Sequence, residues 1–76
     1  MSIQEFQLGD LIEHKQYGRG IILGNYHKRP DGNFYYHVNY DNGSFGYNGG
    51  GMMKLRKERS EETINLAKEI VLKTID

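Results

Sequence analysis

The chain has 76 residues, 37% of them hydrophobic and 26% charged, with a formal net charge of zero. That suits one folded domain rather than a disordered segment, but a small domain, which buries only about 60% of the surface its unfolded chain exposes. It has no cysteine, so no disulfide framework and no thiolate chemistry.

Taken in chain order, Gly9-Asp10 opens a short strand, Leu11-Ile12-Glu13-His14. Alternation there sets Ile12 and His14 on one face, Leu11 and Glu13 on the other. Tyr17-Gly18-Arg19-Gly20 interrupts it, and two glycines around one residue predict a tight turn or bulge with positive φ. The β-branched run Ile21-Ile22-Leu23 predicts a buried second strand. Arg29-Pro30-Asp31-Gly32 predicts a turn, in which proline presets φ and glycine closes the bend.

The strongest pattern is Phe34-Tyr35-Tyr36-His37-Val38-Asn39-Tyr40. A period of two places Phe34, Tyr36, Val38 and Tyr40 on a core face and Tyr35, His37 and Asn39 on the opposite one. Asn42-Gly43 is a hairpin signal, and Ser44-Phe45-Gly46-Tyr47 is its short returning strand. Asn48-Gly49-Gly50-Gly51 reads as a flexible loop, and Met52-Met53-Lys54-Leu55 as a 3₁₀ turn with a brief closing strand. Short strands at this spacing predict a small antiparallel barrel over residues 1–57.

Beyond Lys57 glycine and proline disappear. Ser60 is suited to cap a helix, with Glu61 and Glu62 in a first turn where the dipole favours acid. Ile64, Ala67, Val71 and Ile75 make an apolar stripe at helical spacing, widened by Leu66 and Ile70, with Leu72 beyond its other edge. Residues 58–76 are thus expected to form an amphipathic helix packed on the barrel, one domain overall. Two readings of the broad stripe stand: a helix covering the open end of the barrel, or one that also pairs with a partner or a second copy as a homodimer.

Charge divides along the chain. Residues 1–57 carry seven basic and five acidic groups, and residues 58–76 three and five. A surplus of two is small for a non-specific nucleic-acid binder, so such a role would rest on a local patch of Arg19, Lys28, Arg29, Lys54, Arg56 and Lys57. No apolar run approaches the roughly 20 residues of a membrane span, and Met1-Ser2-Ile3-Gln4-Glu5 lacks the start of a secretory signal. The expected compartment is the cytoplasm.

Gly9-Asp10-x-Ile12-x-His14, Tyr17-Gly18-x-Gly20-x-Ile22 and Val38-x-Tyr40-Asp41-x-Gly43 resemble a recurring pattern of small SH3-like or Tudor-like barrels in bacterial transcription and repair factors. These include CarD-type RNA-polymerase interaction domains and the C-terminal domains of UvrD-type helicases. The resemblance covers about residues 8–56. It implies a mainly β, five-stranded barrel, followed here by one C-terminal helix. It also implies a protein partner such as RNA polymerase, a helicase or another host factor, a setting that suits a phage-encoded or accessory chain.

Chemistry is sparse. His14, His27 and His37 have no short metal-ligand spacing. Glu13, Asp31 and Asp41 fall in or beside turns, where Asp is favoured for backbone reasons, and no nucleophile, base and orienting group form a set. Gly18-x-Gly20 and Gly49-Gly50-Gly51 lack the residues that complete a phosphate loop. No cofactor, metal or enzymatic activity is therefore expected. Aromatic residues are the better lead: Tyr17, Tyr26, Tyr35 and Tyr47, with Phe45, are candidates for an exposed cluster beside basic side chains. Tyr17, Arg19, Tyr35, His37 and Tyr47 are the expected partner-binding residues. They would serve an adaptor or inhibitor that docks on a protein of the transcription or DNA-processing machinery, or, in the other reading, a protein that contacts nucleic acid directly.

Overall fold

A computed structural model describes residues 6–24, 27–32 and 34–74, with His27 and Thr74 described through their backbone alone. Tyr26 and Ile75, singled out above, lie outside these residues, as does the side chain of His27. The strands are β1 (Leu11–His14), β2 (Gly18–Ile22), β3 (His27–Lys28), β4 (Phe34–Tyr40), β5 (Phe45–Gly49) and β6 (Met53–Lys57), followed by helix α1 (Glu61–Thr74). All pairings are antiparallel.

Registers reduce the six strands to five. Ile22 pairs with Val38 and His27 with Tyr35, so β2 and β3 run along the same side of β4, β3 continuing the line of β2. The sheet order is then β5-β4-β2-β1-β6, with β3 continuing β2. Among the described residues no ladder joins the edges β5 and β6, so the sheet curls into a barrel-like form without closing.

The turns follow their residues. Gly18 has a φ of 83° in the β1–β2 turn and Gly32 one of 88°, its N–H donating to the Arg29 carbonyl. In the β4–β5 hairpin Gly43 has a φ of 90°, and Asn42 Oδ1 accepts from the Ser44 backbone N–H and hydroxyl. The stretch expected to be a flexible loop is ordered instead. Gly49 pairs with Tyr35 at the end of β5, and Gly50–Met52 forms a 3₁₀ turn closed by the Met53 N–H on the Gly50 carbonyl. The ladder with β4 supplies the order that glycine lacks locally.

Alternation divides the buried residues into two cores on opposite sides of β1 and β2. Inside the curl lie Phe6, Ile12, Ile22, Tyr36, Val38, Tyr40 and Met53, with Phe34 against them. Outside lie Ile21, Leu23 and Ala67, with Leu8, Leu11, Ile70 and Val71. The helix therefore packs through Ala67, Ile70 and Val71 on the outer core, against Ile21 and Leu23 at the end of β2 and Leu8 and Leu11 at the start of β1. Leu11 and Ile21, paired across the two strands, supply part of that apolar outer face.

Ser60 caps the helix as its sequence suggests. Its hydroxyl accepts the Thr63 N–H at 3.3 Å, and Thr63 Oγ1 accepts the Ser60 N–H at 2.7 Å, a reciprocal cap. The widened stripe is only partly used. Ile70 and Val71 join the outer core, whereas Leu66 and Leu72 remain 48% and 72% exposed.

Candidate functional site

On β4, residues whose side chains do not enter the core must point outward, and these are Tyr35, His37 and Asn39. β5 pairs Tyr35 with Gly49, His37 with Tyr47 and Asn39 with Phe45. The hairpin thus lays Tyr35, His37, Phe45 and Tyr47 on one outer face, beside the part of the sheet that the helix covers. The His37 imidazole stacks on the Tyr47 ring with centroids 4.9 Å apart and planes 7° from parallel, and Phe45 stands 5.9 Å from His37. Phe45 and Tyr47 are nonetheless nearly half exposed. A Cβ added at Gly49 would lie 3.7 Å from the Tyr35 ring, an ordinary van der Waals contact, so the ring lies directly over this end of β5.

Burial pushes the His37 imidazole below its ordinary pKa, so near neutral pH the ring is uncharged. The stack is then an uncharged aromatic pair, a geometry worth about 0.5–1.5 kcal/mol beyond area burial. At the far end of the row the Arg29 guanidinium lies over Tyr35, its Cζ 4.7 Å from the ring centroid, and Lys28 Nζ lies 5.8 Å from that of Phe34.

The five expected partner-binding residues separate into groups. Tyr35, His37 and Tyr47 come together, and Phe45 joins them through the hairpin register. Tyr17 lies elsewhere, at the β1–β2 turn, with its ring 4.7 Å from His14 and 5.4 Å from Tyr40, both residues of the inner face. Arg19 sits on β2 opposite Glu13.

The basic residues of the other reading are also dispersed. Glu13 pairs with Arg19 on one side and Lys54 on the other, setting an acid between two bases. Arg56 approaches Asp41 at 3.8 Å. Lys28 pairs with Phe34 at the start of β4, whereas the Arg19 carbonyl accepts from Asp41 just past its end. Seven strand residues separate those ends, about 20 Å.

His14 illustrates a buried histidine with a local task. It is 4% exposed, and its Nδ1 accepts the backbone N–H groups of Gln16 at 2.9 Å and Tyr17 at 3.2 Å. Those bonds put the ring proton on Nε2, which leaves no free nitrogen lone pair for a metal. Among the described residues no three His, Cys, Asp or Glu converge as a metal site. A cleft of about 230 Å³ at the ends of β1 and β6 is lined by Glu13, His14, Lys15, Met52, Met53 and Lys54, away from the aromatic row. No helix among the described residues is long and apolar enough to cross a membrane.

In comparisons with family models, curated proteins and solved structures, the chain matches none.

Proposed function

We propose that this chain is a non-enzymatic binding module, an adaptor or inhibitor that docks on a protein of the transcription or DNA-processing machinery through the outer face of β4 and β5. The observation that carries it is the stack of His37 on Tyr47 with Phe45 alongside. Cross-strand pairing holds these rings in place, yet much of Phe45 and Tyr47 remains in water. Preorganised aromatics at a surface are the side chains in which interface energy concentrates, because little rotamer freedom is left to lose on binding. The resemblance carried by residues 9–43 supports the choice of machinery, since barrels of the CarD and UvrD kinds serve polymerase and repair complexes.

The test is capture from bacterial lysate by the tagged full chain, with and without nuclease, for the wild type and Tyr47→Ala. The expected result is a polymerase, helicase or repair component that survives nuclease and is lost with Tyr47→Ala. Capture that disappears with nuclease and ignores Tyr47→Ala would move direct nucleic-acid contact to first place.

A further inference from the structure

Arg29 is exposed, and its guanidinium is seated over the Tyr35 ring. A guanidinium held on a ring has lost part of its rotamer freedom before any partner arrives, while its N–H groups remain available to a planar acceptor. Arg29 forms no ion pair among the described residues; Asp41, at the other end of β4, is taken up by Arg56. Neither β4 (FYYHVNY) nor β5 (FGYNG) contains a carboxylate. Among the described residues the face therefore offers an arginine that forms no ion pair, beside an apolar stack.

Spacing narrows the occupant. Tyr35 and His37 are alternate residues on one strand face, about 7 Å apart. An extended peptide repeats its same-side residues at that interval. A single-stranded nucleic acid would instead require cations following its backbone along the whole row. Beyond Tyr35, β4 and β5 carry no lysine or arginine, and His37 is uncharged near neutral pH.

We propose that the β4–β5 face takes an extended protein segment in which an aspartate or glutamate lies two positions from an aromatic or aliphatic side chain. The carboxylate pairs with the Arg29 fork, and the apolar side chain rests on the His37–Tyr47 stack. The assignment rests on the docking reading above and adds the chemistry of the partner to it. Arg29 is then a specificity residue, and the aromatic stack supplies the affinity common to all ligands.

A random peptide library displayed on phage, selected against the immobilised full chain, tests it. The wild type should enrich peptides with an acid two positions from an apolar residue. An enriched peptide should bind Arg29→Gln at least about tenfold more weakly, as loss of a charge-assisted hydrogen-bonded pair implies. Arg29→Lys should recover only part of the loss, because a lysine lacks the planar fork. Tyr47→Ala should lose all enrichment, with thermal melts showing that each variant folds. If Tyr47→Ala abolishes binding while Arg29→Gln selects the same peptides, docking stands and the carboxylate assignment falls. If the wild type enriches nothing, the docking reading falls with it. Displacement of the peptide by oligothymidylate at equal concentration would also overturn the choice of a protein segment.

Discussion

The backbone N–H of Gln16 donates to Nδ1 of His14 at 2.9 Å, inside the turn that leads to β2. The Tyr17 N–H shares the same acceptor, so a proton on Nδ1 would face two donors and break both bonds. Burial already holds the imidazole below its ordinary value of 6.5. The unfolded chain therefore takes up the proton first. The contribution to stability is complete above the unfolded value and is lost as pH falls through it toward the folded one. Urea titrations at about pH 7.5 and about 5.5, either side of the free-histidine value, should show lower stability at the acid end. His37 shifts in the same direction, so the part due to His14 is sought in His37→Gln, where that contribution is gone. A flat profile in that variant would remove the turn argument.

Gly20 sits where a side chain has no room. Its φ is not positive, so the demand is for space rather than for a left-handed backbone. A Cβ there would stand 2.7 Å from Val38 Cγ1 and 3.0 Å from both the Asn39 carbonyl oxygen and Tyr40 Cδ1. Gly20→Ala should cost about 1–3 kcal/mol, as overpacking of a well-filled core does. Gly18 is the contrast: it needs positive φ and has open space around it. A Gly20→Ala melting curve that overlays the wild type would mean that β2 and β4 separate without cost.

That pair of glycines shows how far the residues alone carry the fold. Gly18-x-Gly20 marks a turn in either case, but the crowding at Gly20 depends on Val38 and Tyr40, which only the sheet brings near. The face assignments along β4 were legible because burial imposes a period of two, and the Ser60 cap because capping is local. The place of α1 was not legible. Leu11 and Ile21 look like ordinary alternating positions until their pairing joins them into an outer apolar strip. The site was half legible for the same reason: Tyr35, His37, Phe45 and Tyr47 could be named, but that these four share one face and Tyr17 does not required the hairpin register.

The helix should be part of the cooperative unit. Ala67 is completely buried against Ile21 and Leu23, with no space for a hydrated charge. Ala67→Asp should cost several kcal/mol, comparable to the whole stability of a small domain. Leu72→Asp, at a position mostly in water, should stay within about 0.5 kcal/mol of the wild type. Equal melting of the two variants, by circular dichroism, would show that α1 frays independently of the sheet.

Duplex DNA provides the last comparison. Binding to a random duplex scales with the number of phosphates neutralised together, and log K falls with log salt by about 0.9 per phosphate. Here the six cations do not form one continuous patch. Arg19 and Lys54 flank Glu13, Arg56 approaches Asp41, and Lys28 and Arg29 lie at the opposite end of β4 from Arg19. The acids within the set cancel part of the field, and the separation of about 20 Å exceeds the screening length of about 8 Å at physiological salt. A fluorescence titration with a random duplex should therefore show no micromolar binding at that salt, and charge reversal at Arg29 and Lys54 should leave the signal unchanged. Micromolar binding that weakens steeply with salt, and that either reversal reduces for every sequence tried, would show that the dispersed cations converge on a phosphate backbone after all, and would place direct nucleic-acid binding ahead of protein docking.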